Sequence, residues 1–104
     1  MSEYKTGLEE SATSDTEEDV KEPPFYKVLL HNDDYTTMEF VVEVLMHVFN
    51  QPILEATRIM LNVHKQGTGL CGHYPYDVAE TKVETVHLLA RERGFPLKCS
   101  MEEE

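Results

Sequence analysis

A strand that runs straight into a helix through a cluster of oxygen-bearing side chains constrains this chain more than anything else in its sequence. The stretch is YKVLLHNDDYTTMEF, Tyr26 to Phe40. Tyr26, Val28 and Leu30 alternate with Lys27 and Leu29, the period of a strand with one buried face. Asn32, Asp33 and Asp34 then stop the strand, because their short side chains hydrogen-bond to nearby backbone and favour turns. Thr36 followed by Glu39 has the spacing of a capping box just before an apolar run. Two readings of the junction stand side by side. It is a site for a ligand rich in N–H donors, or a capped turn carrying surplus charge.

Downstream, a helix is predicted over 37–49, with Phe40, Val41, Val44, Leu45 and Val48 at helical spacing. Asn50 and Gln51 end it, and Pro52 suits the first turn of a second helix. Ile53, Ala56, Thr57, Met60, Leu61 and His64 are expected along one side of that helix. A connection of two or three residues makes the pair a tight hairpin. Gly67 suits a left-handed cap, and Gly67-Thr68-Gly69 is predicted to be a turn. Leu70, Gly72 and Tyr74 alternate with Cys71 and His73 as a short strand. A third helix follows over 76–93, with Ala79, Val83, Val86 and Ala90 inward and Glu80, Lys82, Glu84 and Arg91 outward. Gly94 caps it. Leu97, Cys99 and Met101 alternate in a last strand, and Glu102 to Glu104 are expected to fray. The order β-α-α-β-α-β implies an α+β fold, a two-layer sandwich of a three-stranded antiparallel sheet with three helices on one face.

Residues 1–24 differ from this core of 25–104. Eight acidic residues against Lys5 and Lys21 give the segment a charge of −6, out of −11 for the chain. Its few apolar residues show no period, so it is expected to be a disordered N-terminal extension. The net charge argues against nucleic acid and against anionic membrane surfaces as partners. No apolar run reaches about 18 residues and no basic-then-apolar leader is visible, so neither a span nor a signal peptide is expected. Two cysteines, Cys71 and Cys99, are too few for a disulfide scaffold. A reducing cytoplasm is the expected compartment.

Catalytic and metal patterns are missing from the sequence. His64, Cys71 and His73 lack zinc-site spacing. Asn32-Asp33-Asp34 lacks the alternating oxygens and central glycine of a calcium loop. There is no nucleophile elbow, phosphate-cradling glycine loop or HExxH. No enzyme activity, cofactor or metal is therefore expected. His31, His47, His73 and His87 are read as surface or interfacial residues without a chemical role. His64 differs, because it ends the second helix near the expected position of the Asn32–Asp34 turn. Met38, Val41, Met60 and Val63 either line an apolar pocket there with polar atoms at its mouth, or are ordinary core.

KVLLHNDDYTTMEFV, ATRIMLNVHKQGTGLCG, VAETKVETV and PLKCSMEEE, in that order, resemble the ClpS family of bacterial adaptors. These deliver N-degron substrates to the ClpAP protease. The resemblance runs from about Pro23 to the C-terminus, and the acidic extension carries no alignable motif. It implies the same βααβαβ sandwich, similar to the C-terminal domain of the ribosomal stalk protein. It also implies a pocket for a first residue that is Leu, Phe, Tyr or Trp. By that resemblance Asn32, Asp33 and His64 bind the α-amino group. Leu30, Asp34, Thr36, Met38, Val41, Met60, Val63 and Leu97 line or border the side-chain pocket, and Met38 excludes β-branched residues. Asp77, Glu80 and Lys82 fall on the docking surface for a ClpA-type AAA+ unfoldase, which the N-terminal extension also engages. Two positions depart from the family pattern: Asp77 where Glu is frequent, and Thr37 where Pro is common. The rival reading is a stalk-like interaction module that does not recognise N-terminal residues.

Overall fold

The computed structural model describes residues 23–104, so all but Pro23 and Pro24 of the expected disordered extension lies outside the described residues. Phe25–His31 forms strand β1, with Val28 and Leu30 fully buried, as the alternation predicts. Thr68–Pro75 (β2) and Lys98–Glu103 (β3) flank it in the sheet order β2-β1-β3, both antiparallel. The helices are Met38–His47 (α1), Ile53–Gln66 (α2) and Tyr76–Arg93 (α3), which gives the predicted βααβαβ order. One core joins Val28 and Leu30 to Val44 and Leu45 of α1, Ala56, Ile59 and Val63 of α2, and Val86 of α3. Burying such side chains supplies about 1.5–3 kcal/mol each.

Several local expectations are corrected. The capping residue of α1 is Thr37 rather than Thr36: the Thr37 hydroxyl accepts the Phe40 N–H at 3.1 Å. Thr36 is held by the preceding turn instead. The connection between α1 and α2 is residues 48–52, because α1 stops at His47. Asn50 turns it with φ 57°, a left-handed conformation that Asn tolerates better than most residues. Val48 and Phe49 lie beyond the helix yet are buried.

On α2 the expected stripe holds at Ala56 but is misplaced around it. Ile53 and Leu61 are exposed, whereas Ala56, Ile59 and Val63 are buried. The reason lies in β2. A Cβ on Gly69 would stand 2.5 Å from Val63 Cγ2 and 3.2 Å from the Ile59 carbonyl oxygen. Glycine there lets α2 seat against the strand, and that contact selects its buried face.

Strand β2 starts at Thr68 rather than after a three-residue turn. Its register slips by one residue: Val28 faces Gly72 and Leu29 faces Leu70, leaving Cys71 as a bulge. The extra carbonyl is satisfied, since Gln51 Nε2 donates to it at 3.2 Å. The slip explains why Gly69 and Cys71 are buried while Leu70 is exposed, against the predicted phase. Strand β3 does not fray at Glu102. Glu103 pairs with Tyr26, and the Glu104 N–H donates to the Phe25 carbonyl at 3.1 Å. Backbone pairing needs no apolar side chain, and Lys27 lies 3.8 Å from Glu102.

Candidate functional site

The turn between β1 and α1 is built on Asp33. Its Oδ1 accepts the N–H groups of Tyr35 and Thr36, each at 2.8 Å, and its Oδ2 accepts the Thr36 hydroxyl at 2.6 Å. Burial raises the carboxyl pKa, but the Thr36 hydroxyl and the two amides outweigh it and hold the group below its ordinary value. Asp33 is therefore a fixed negative charge at neutral pH. A carboxylate has about four acceptor positions, so the three bonds among the described residues leave about one unfilled. The two adjacent threonines divide the work: Thr36 closes the turn and Thr37 starts the helix.

The far end of α2 is tied to this turn through the backbone. Gly67, with φ 92°, ends the helix, and its carbonyl accepts the Asn32 N–H at 2.9 Å. His31 pairs with Thr68 in the same ladder. Since His64 sits one turn before Gly67, it arrives beside Asn32. Asn32, Asp33, Asp34, Thr36, Met38, Val41, Met60, Val63 and His64 enclose a cavity of about 230 Å³. Met38, Val41, Met60 and Val63 form its apolar walls. Asn32, Asp34 and His64 are exposed, and their side chains join none of the hydrogen bonds among the described residues. Leu30 and Leu97, expected to line or border the pocket, are not on its wall; they are core residues, 0% and 4% exposed.

The expected docking residues lie on α3. Asp77 and Glu80 are exposed, and Tyr76 donates to Glu80 at 3.4 Å. Lys82, expected outside, is half-buried. Its Nζ donates to the Val48 carbonyl at 2.7 Å and stands 5.8 Å and 5.2 Å from the ring centroids of Phe49 and Tyr74. The ammonium thereby satisfies a carbonyl just past the end of α1, a task invisible in the helical wheel.

His87 has a structural role that the sequence reading missed. Its Nε2 accepts the Cys99 N–H at 3.0 Å, fastening β3 to α3. The one hint was its place between Val86 and Ala90 on the inner stripe. His31 bonds Ser100 at 2.6 Å, His73 contacts Glu104, and His47 is exposed. Burial pushes the Cys99 thiol up to about 12 and raises Cys71 further, so neither is a ready nucleophile. Among the described residues no group of three or more His, Cys, Asp or Glu is placed to hold a metal ion. No described helix is long and apolar enough to cross a membrane.

Comparison with known proteins agrees with this arrangement. Residues 21–100 match the family described as "ATP-dependent Clp protease adaptor protein ClpS". The Clp protease adapter ClpS of Desulforapulum autotrophicum is 56% identical over 104 residues, covering 100% of both chains. That of Desulfatibacillum aliphaticivorans is 68% identical over 82 residues, 79% of each chain. Among solved structures, Agrobacterium tumefaciens ClpS2 bound to L-phenylalaninamide superposes with a TM-score of 0.77. It is 41% identical and covers 80% of this chain and 100% of its own. The chain therefore belongs to the ClpS family, adaptor proteins of the ATP-dependent Clp protease rather than catalytic enzymes.

Proposed function

We propose that the cavity holds the first residue of an N-degron substrate, and that the adaptor passes that substrate in the cytoplasm to a ClpA-type unfoldase for degradation by ClpAP. The observation that carries this reading is the composition of the cavity. An apolar hollow of about 230 Å³ opens beside a fixed carboxylate, a primary amide and an imidazole, and among the described residues the amide and imidazole join no hydrogen bond. A free α-amino group has a reference pKa of about 7.7–8.0, so it is mainly an ammonium at neutral pH. It offers three donors and no acceptor. The Asn32 amide oxygen, the remaining acceptor position of Asp33 and the neutral His64 ring can take one each. The apolar walls then receive the side chain of Leu, Phe, Tyr or Trp, and burial supplies about 1.5–3 kcal/mol. Micromolar affinity requires about 8 kcal/mol. Burial and charge-assisted hydrogen bonds of about 1.5–3 kcal/mol each reach it together, and neither does alone. The A. tumefaciens relative supports the reading, because its ligand, L-phenylalaninamide, couples a free amino group to an aromatic side chain.

Met38, half-exposed at the start of α1 and on the cavity wall, narrows the opening against branching at Cβ. Asp77 and Glu80 on α3 face the unfoldase, with Lys82 setting the end of that surface. The test is a titration with fluorescent peptides beginning Leu, Phe or Arg, each free or N-acetylated. Leu and Phe peptides should bind, Arg should not, and acetylation should weaken Leu binding at least tenfold. An acetylation penalty below about threefold, under 1 kcal/mol by the conversion of 1.4 kcal/mol per decade, would exclude N-terminal recognition.

A further inference from the structure

A second hollow adjoins the first, and nothing so far gives it a task. Met38, Glu39, Val42 and Met60 border an open groove of about 350 Å³ between α1 and α2. Met38 and Met60 line both hollows, so the two are adjacent. Met38 is 42% exposed and the groove is open to solvent, with Glu39 on its rim. Among the described residues Glu39 joins no salt bridge.

We propose that this groove takes the side chain of the third residue of the bound substrate, and prefers a long aliphatic chain ending in a positive charge. The inference rests on the first residue occupying the neighbouring cavity. In an extended segment successive side chains point to opposite faces, so residues one and three face the protein together while residue two faces away. They are separated by about 6.6 Å along the chain, so with residue one in the first cavity residue three falls beside it, where the groove shares Met38 and Met60 with that cavity. Met38, Val42 and Met60 cover the methylenes of a lysine or arginine, and Glu39 receives its charged end. An acidic residue at the same place meets the Glu39 carboxylate with the same sign. Methionine walls adapt to differing side-chain shapes, so the groove ranks sequences without demanding one. The adaptor would then read two positions, strictly at the first and by degree at the third.

The experiment compares peptides Leu-Ala-X and Leu-X-Ala, with X as Ala, Met, Arg or Asp, on wild type, Glu39→Gln and Val42→Ser. Each peptide is measured free and N-acetylated. At position three Arg should bind about three- to tenfold more tightly than Asp, and Met more tightly than Ala. Glu39→Gln should at least halve the Arg-to-Asp ratio, and Val42→Ser should remove the advantage of Met. Both variants should keep the wild-type acetylation penalty, since neither residue lines the first cavity. A flat response at position three, an equal response at position two, or a ratio untouched by Glu39→Gln would overturn the inference while acetylation still weakens binding. Loss of the acetylation penalty in wild type would instead overturn the reading of the first cavity, and this one with it.

Discussion

Helix α1 has a hollow on each of two sides, and their polar groups are in opposite states. Towards α2 lies the 230 Å³ cavity, where among the described residues the Asn32 and His64 side chains join no hydrogen bond and Asp33 is braced by its own turn. Towards α3 lies a hollow of about 150 Å³ lined by Phe40, Glu43, Val44, His47, Leu89 and Arg93. There Arg93 donates to Glu43 at 2.7 Å, and its guanidinium stands 5.3 Å from the Phe40 ring centroid. The bond from Arg93 outweighs desolvation and holds the Glu43 carboxyl below its ordinary value. A concavity whose charges satisfy each other has little left for a ligand. One whose acceptors are held open, with an apolar floor, is organised for binding.

The largest expected effect comes from breaking the first hollow at Asp33. Asp33→Ala removes both the charge and the three bonds that shape the turn, and should lower affinity for a free Leu peptide roughly 10- to 100-fold, in line with about 1.5–3 kcal/mol for a charged hydrogen bond. Asp33→Asn keeps acceptors for the turn and removes the charge, so it should lose less affinity and shrink the penalty for acetylation. Equal binding by all three proteins in a fluorescence titration would remove Asp33 from the site.

Packing beneath the same hollow gives the next effect. Gly69→Ala drives a methyl group into Val63 and against the Ile59 carbonyl, and overpacking of this kind costs about 1–3 kcal/mol. For Gly72→Ala the three nearest atoms all belong to the Tyr74 side chain, at 2.7–2.9 Å, and a side chain can turn aside. Urea unfolding should therefore rank Gly69→Ala as the less stable variant. Since Val63 lines the cavity, it should also bind peptide more weakly than Gly72→Ala.

The brace on Asp33 has a smaller signature in acid. Its folded pKa lies below the ordinary value, so its contribution to stability is complete above the unfolded pKa of about 3.9. That contribution is lost as pH falls through the lower folded value. Wild type should lose more stability between pH 5 and pH 2.5 than Asp33→Asn, as read from urea midpoints. Parallel losses would show that the three bonds add nothing in the folded state.

The smallest effect belongs to the hollow facing α3. Glu43→Gln and Arg93→Met break an exposed ion pair, and such pairs contribute little to stability. Affinity for Leu peptides should stay within about twofold of wild type. A larger change in the titration would couple the two sides of α1 and end the contrast between them.

Much of this architecture was legible because its causes are local. The alternation of Tyr26, Val28 and Leu30 needs only a period of two, and α3 matches its predicted 76–93 span between Pro75 and Gly94. Gly67 and Gly94 both adopt the positive φ their positions require. The nine residues of the cavity wall all stand out in the sequence, Asn32, Asp33, Asp34 and Thr36 at the strand–helix junction, Met38, Val41, Met60 and Val63 as apolar candidates, and His64 at the end of the second helix. What the chain could not declare by itself were choices between near-equal local options. Thr36 and Thr37 can each start a helix, and Asp33 decides between them by taking Thr36. Ile53 and Ile59 are equally apolar, and the missing Cβ of Gly69 selects the face carrying Ile59 and Val63. The exposed phase of β2 depends on a bulge at Cys71 whose carbonyl finds Gln51, twenty positions away. His64 becomes a neighbour of Asn32 because the pairing of His31 with Thr68 and the Asn32–Gly67 backbone bond bring the end of α2 to the turn. Sequence supplied the periods and the caps, which act within a few residues. Tertiary structure supplied the partners, because a hydrogen bond or a packed methyl group is specified only when both sides have arrived.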